Sequence, residues 1–194
     1  MWHIAYICDM LDTKTKIMSA AVKYFQSNES ISLEKIAEEA GVTRRTLHRY
    51  FENRQNLVES CKNEMLESCN KAMNEAYESD DDQIKKLRNM LFAAIEQGAK
   101  YSFIKRFYEN SSFSDLESKN EFESDNVKTR WLKVIKNLQN EKRINHELTI
   151  NWIFNLFGSI VETTIYAVES GDVAKNDSKK FAWISFKGAI GLKE

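Results

Sequence analysis

The sequence contains no proline and only six glycines among its 194 residues. Strands punctuated by Asn-Gly or Asp-Gly turns are missing too, and Leu, Glu, Lys and Ala are plentiful instead. This pattern predicts an all-α protein. Cysteine is scarce. Cys8, Cys61 and Cys69 are odd in number and unpatterned in spacing, which excludes a disulfide framework and points to a reducing compartment. His3, His48 and His146 lie far apart with no cysteine at zinc-like spacing, so no metal site is expected. No nucleophile stands beside a base, and there is no glycine-rich phosphate loop and no paired-carboxylate motif; neither catalytic residues nor a cofactor is expected. A long hydrophobic run is also lacking. The apolar opening "MWHIAYICDM" is too short to span a bilayer and carries neither a basic stretch nor a small-residue cleavage site, so the expected location is the cytoplasm, without membrane contact.

A strong charge of one sign is the last absence. The net charge is −1, with eight Lys/Arg against six Asp/Glu in residues 12–58 and 20 against 22 in residues 59–194. Any nucleic-acid function must therefore rest on local arrangement, since the bulk basicity usual for such a role is missing.

Hydrophobic spacing supplies that arrangement. Ile17, Ala20, Ala21, Tyr24 and Phe25 recur at helical intervals in "TKTKIMSAAVKYFQSN", with Asp12 as the expected N-cap and Asn28 as the stop. "SLEKIAEEAG" puts Leu33, Ile36, Ala37 and Ala40 on one face, opened by Ser32 and closed by Gly41, a residue able to adopt the left-handed conformation at a helix end. Thr43 caps a third helix with Leu47, Tyr50 and Phe51 inward. Its Arg44, Arg45, His48 and Arg49 spread over an outward arc of about 140°. Asn53 opens a fourth helix of roughly 25 residues, long enough to connect the front of the chain to the rest.

Two short helices joined by a tight glycine turn, the second cationic outside, form a helix-turn-helix, whose second helix fits a major groove about 12 Å wide. Arginine offers a rigid fork of donors for guanine O6 and N7. His48 can meet a base edge or phosphate, and Thr43 a phosphate or thymine methyl. Between Gly41 and Phe51 no acid neutralises these cations.

The stretch "SLEKIAEEAGVTRRTLHRYFENRQNL" resembles the DNA-binding signature of the tetracycline-repressor (TetR) family of bacterial transcription regulators, and "IMSAAVKYF" is similar to that family's first helix. The likeness covers about residues 12–60. It implies an N-terminal three-helix helix-turn-helix DNA-binding domain (12–58) and a C-terminal helical effector and dimerisation domain (59–194), acting as a homodimer on double-stranded operator DNA. It also implies that Ser32 caps the second helix and touches a phosphate, that Thr43, Arg44, Arg45 and His48 face the groove, and that Tyr50 and Arg54 hold the DNA backbone. The family often has glycine, tyrosine and lysine where Arg45, His48 and Arg54 stand here, so sequence preference is not transferable from a relative.

In the second domain, "SDDD" at 79–82 opens a helix with Ile84, Leu87, Leu91 and Ile95 in phase and Gly98 at its end. Residues 110–125 read as loop. Val127, Trp131, Val134, Ile135 and Leu138 then form an amphipathic stripe. The segment 149–170 is apolar nearly all round, apart from a line of Asn151, Asn155, Ser159, Glu162 and Glu169, and is expected to be buried. With 177–192 it suggests a dimer interface. Phe103, Phe107, Trp131 and Trp152 are candidates to line a cavity for a small apolar or aromatic effector, oriented by Asn155 or Glu162; the alternative is that they are ordinary core.

The reading is a ligand-responsive repressor on a pseudo-palindromic operator. Its rival is a nucleoid-associated or division-linked DNA-binding protein that recruits a protein partner without a small effector. The thiols Cys61 and Cys69 stand about 12 Å apart along one helix, suiting core or surface better than a redox pair.

Overall fold

The computed structural model describes the backbone of residues 2–25, 31–98 and 127–193, and the side chains of 13–24, 31–98 and 127–193. Among these residues every regular element is a helix. In chain order they are α1 (Trp2–Phe25), α2 (Leu33–Glu39), α3 (Arg44–Tyr50), α4 (Arg54–Glu78), α5 (Gln83–Gln97), α6 (Val127–Asn140), α7 (Ile150–Glu169) and α8 (Lys175–Ala189). They fall into two compact units, Met1–Leu66 and Glu67–Glu194.

In the first unit, α1 begins ten residues before the cap expected at Asp12, which lies inside the helix. Residues 2–25 hold neither proline nor glycine, so nothing in the chain interrupts the helical hydrogen-bond ladder there. Ile17 and Ala21 pack inward with Ile36, Ala37, Leu47, Phe51, Leu57 and Cys61. Ser32 Oγ accepts the Lys35 backbone N–H at 3.3 Å and caps α2. The chain then reverses at Gly41, whose φ of +66° is left-handed. The Val42 N–H reaches the Ala37 carbonyl at 2.9 Å, and the Gly41 N–H reaches Glu38 at 3.0 Å, so the last carbonyls of α2 are satisfied within the turn. Thr43 Oγ1 accepts the Thr46 N–H at 3.1 Å to start α3, and Asn53 Oδ1 accepts the Asn56 N–H at 2.9 Å to start α4.

Along α4 the buried positions Cys61, Met65, Cys69 and Met73 recur every fourth residue, all of them sulfur-bearing.

The second unit has its own core. Asp82 caps α5 by accepting the Ile84 and Lys85 N–H groups, each at 2.9 Å. Leu87, Met90 and Leu91 of α5 pack with Trp131, Val134, Ile135 and Leu138 of α6, with Ile153, Phe157 and Val161 of α7, and with Ala182 and Phe186 of α8. Beyond α8, the Asn145 N–H donates to the Ile190 carbonyl at 2.9 Å and the Lys193 N–H to the Arg143 carbonyl at 2.8 Å, which ties the end of α8 to the α6–α7 connection.

The expectation that 149–170 is buried all round does not hold. One side of α7 (Ile153, Phe157, Gly158, Val161 and Thr164) faces the core. Asn151, Asn155, Ser159 and Glu169 are exposed, and so are Trp152 and Tyr166. Similarly, α8 buries Ser178, Ala182 and Phe186 while Phe181 and Ile184 stay outside. A helix 3.6 residues in period presents only part of its circumference to one core, so apolar residues all round cannot all be covered by it.

Candidate nucleic-acid interface

The outward side of α3 is exposed at Thr43, Arg44, Arg45, His48 and Arg49, while Leu47 is sealed beneath it and Tyr50 is half-buried. The sequence-predicted groove residues therefore share one surface. Their commitments differ. Arg45 makes no hydrogen bond or ion pair among the described residues. The Arg49 guanidinium lies over the Tyr50 ring at 5.1 Å and donates to its hydroxyl at 3.3 Å. His48 Nδ1 is 3.4 Å from the Glu52 carbonyl.

Arg44 is not unneutralised, although no acid lies within its own segment. Its Nη1 is 2.9 Å from Glu34 Oε1, supplied by α2. The Glu34 carboxyl is held below its ordinary range by a hydrogen bond from its own backbone N–H, then by the Ser32 hydroxyl, then by Arg44 itself. Sequence reasoning passed over Glu34. The legible signal was an acid in the first turn of α2 and an arginine opening α3, a pairing that becomes evident only once the turn at Gly41 is folded.

Arg54, expected at the DNA backbone, is half-buried and donates from Nη1 to the Ile31 carbonyl, tying the start of α4 to the residue before the Ser32 cap. A second missed group is Glu39. It accepts from Lys23 Nζ at 2.6 Å and from the Tyr24 hydroxyl at 3.0 Å, joining α1 to α2. The Glu39 carboxyl is accordingly pushed down, first by the Lys23 hydrogen bond and then by Tyr24.

Of the proposed effector residues, the two that are described, Trp131 and Trp152, are not gathered together. Phe103 and Phe107 lie outside the described residues. Trp131 is 2% exposed, with Phe154 and Phe157 edge-on at 5.3 and 5.8 Å. Trp152 is 56% exposed, on the far side of α7 from that cluster, and Asn155 is exposed as well. Phe154 stands two positions after Trp152, which is about 200° of helical turn. Among the described residues, Asn74 Oδ1, Arg88 Nε and Trp131 Nε1 are buried without a hydrogen-bond partner.

Cys61 is sealed beside the Met18 carbonyl, 3.8 Å from its Sγ, and burial pushes its thiol up to about 12. Burial of this kind suits a packing group better than thiolate chemistry. Among the described residues, no cluster of metal-ligating side chains occurs and no helix is long and apolar enough to cross a membrane.

This geometry defines a helix-turn-helix DNA-binding module. Residues 17–61 match the family model for the bacterial regulatory proteins, tetR family. No curated protein is significantly similar in sequence. Among solved structures, the chain is similar to the TetR-like transcriptional regulator LfrR from Mycobacterium smegmatis in complex with proflavine (TM-score 0.65, 19% identity, 91% of this chain and 94% of that one). It is also similar to the ketosteroid transcriptional regulator KstR2 of Mycobacterium tuberculosis (0.69, 15%, 93% and 95%). A third likeness is to a TetR family transcription regulator from Marinobacter aquaeolei VT8 (0.67, 15%, 89% and 94%). At these identities the structural likeness speaks for the fold, while the module match speaks for the family. Residues 17–61 thus carry the DNA-binding helix-turn-helix of the tetR family of bacterial regulatory proteins, and the chain as a whole has the fold of TetR-like transcriptional regulators.

Proposed function

We propose that the protein is a ligand-responsive repressor of the cytoplasm that binds a pseudo-palindromic operator as a homodimer, with DNA contact in residues 12–58 and effector binding and dimerisation in 59–194. The observation that carries the DNA side is the exposed cationic face of α3, where Arg45 has no partner to give up among the described residues. Ser32, Thr43, Arg44, Arg45, His48, Tyr50 and Arg54 remain its proposed contacts. Arg54 also holds the chain before Ser32.

Assembly is supported by Trp152 and Tyr166 on α7 and Phe181 and Ile184 on α8, large apolar side chains left exposed in one protomer. Effector binding is supported by Trp131, which sits among aromatic rings and whose indole N–H has no acceptor among the described residues. An apolar or aromatic effector presenting one acceptor atom fits that chemistry, and the similar LfrR structure holds proflavine. Effector and operator would each weaken the other's binding by the same factor.

The test combines operator selection from a random duplex pool with light scattering. Ile184, 51% exposed, should accept lysine without harm to the protomer, but in a dimer it would bury an unpaired charge. Ile184→Lys should therefore give folded monomers with weakened operator binding. Wild-type protein that is monomeric at micromolar concentration yet binds a palindrome tightly would defeat the dimer. Operator binding that no aromatic small molecule weakens, together with capture of a protein partner, would favour the recruiting rival.

A further inference from the structure

The exposed cations of α3 are prepared for DNA to different degrees, and the difference lies in an acid on the preceding helix. Arg44 is the first residue of α3, the end from which helix-turn-helix recognition helices reach base edges. Its pairing with Glu34 at 2.9 Å occupies one of five guanidinium N–H donors and leaves the others free. Glu34 stands in the first turn of α2, two residues after the Ser32 cap, and its carboxylate meets Arg44 across the turn at Gly41.

We propose that Glu34 is the positioning residue for Arg44: it holds the guanidinium in one orientation before DNA arrives and stays paired with it in the operator complex, so that Arg44 reads a base without first losing its rotamer freedom. The inference rests on Arg44 facing the groove. Glu34 also brings negative charge close to a surface meant for phosphates, which opposes sequence-independent binding. Its two effects have opposite signs on operator and on random DNA, and this distinguishes positioning from repulsion. Both side chains are more than half exposed, so the pair contributes little to folding and its removal leaves the module folded.

The experiment measures binding of full-length protein to the selected operator duplex and to a random duplex of equal length, for wild type, Glu34→Ala, Glu34→Gln, Arg44→Ala and the double variant Glu34→Ala/Arg44→Ala. Glu34→Ala should weaken operator binding about 3- to 10-fold, because part of the arginine side chain's rotamer freedom would then be lost on binding. Its random-duplex affinity should stay level or rise. Glu34→Gln keeps an acceptor oxygen and should recover most of the operator loss. In the Arg44→Ala background, Glu34→Ala should cause no further operator loss. If Glu34→Ala strengthens both duplexes by one factor, with or without Arg44→Ala, Glu34 is only a repelling charge and the proposal fails. If Arg44→Ala leaves operator binding unchanged, the groove role of Arg44 fails, and with it the proposal. If Arg44→Ala weakens binding and Glu34→Ala does not, only the positioning role is lost.

Discussion

Replacing Trp131 by phenylalanine and by alanine should separate two energies that a single truncation confounds. The indole is 2% exposed and edge-packed on Phe154 and Phe157. Alanine removes the whole ring and should cost ~3 to 5 kcal/mol. Phenylalanine retains a six-membered ring for the edge contacts and deletes roughly two ring atoms, a packing loss of about 1–2 kcal/mol at ~0.8 per buried methylene-sized group. It also deletes the Nε1–H, which is buried without an acceptor among the described residues, and relief of that desolvated donor returns about 1–3 kcal/mol. Trp131→Phe should therefore lie between about 1 kcal/mol less stable and about 2 kcal/mol more stable than wild type, far from Trp131→Ala. The assay is urea unfolding followed by far-ultraviolet circular dichroism at fixed protomer concentration, because tryptophan emission changes with the substitution itself and association shifts the midpoint. With m unchanged, the midpoints report stability directly. A phenylalanine variant as unstable as the alanine one would refute the reasoning, since the N–H would then have a partner worth keeping. The same folded variant tests induction: if an effector accepts from Nε1, Trp131→Phe should bind operator normally and need about 2- to 13-fold more effector for release, the range of one hydrogen bond of ~0.5–1.5 kcal/mol.

Arg45→Ala should weaken the selected operator by about 1–3 kcal/mol per half-site and relax preference at one base pair while leaving the salt slope intact; an unchanged ratio of operator to random-duplex affinity would remove Arg45 from base readout. Glu39→Gln should lower the thermal midpoint of the protein at neutral pH by breaking the tie to Lys23 and Tyr24. Because the folded carboxyl sits below its ordinary value of 4.5, its stabilising contribution is present above that value and is lost as pH falls through the lower folded one. The midpoints of wild type and variant should thus converge below pH 4.5, and a gap that persists under strongly acidic conditions would contradict the charge-based account.

Much of the DNA-binding module was readable because its signals are local. Ser32, Thr43 and Asn53 cap the helices that follow them, and Gly41 takes the left-handed turn, each determined by neighbours within about four residues. The start of α1 was misjudged for the opposite reason. Asp12 is a competent cap by type, but a cap is used only where the helix begins, and nothing upstream stops it. Pairings across elements were hidden. Glu34 meets Arg44 ten positions away and Glu39 meets Lys23 sixteen away, through turns whose geometry a one-dimensional pattern does not contain. The hydrogen bond from Arg54 to the Ile31 carbonyl, 23 positions earlier, was likewise absent from the local pattern. In the second unit, apolarity told which residues avoid water but not what covers them. Trp131 and Trp152 looked equivalent in sequence, yet one lies in the core and the other on the surface.

The sulfur-lined seat of α4 has a mechanical consequence. Cys61, Met65, Cys69 and Met73 are its successive buried contacts. Methionine is unbranched, with three rotatable bonds and a polarizable sulfur, so it refills a space whose shape changes. Valine or isoleucine in those places would be confined to one strongly preferred rotamer and would hold the helix at a single setting. At Met65 and Met73 the contacts of the helix can re-form when it is nudged along or about its axis, while the small Cys61 and Cys69 beside them add little bulk to resist it. The helix that joins the DNA-binding end of the chain to the rest thus carries adaptable side chains on its buried face.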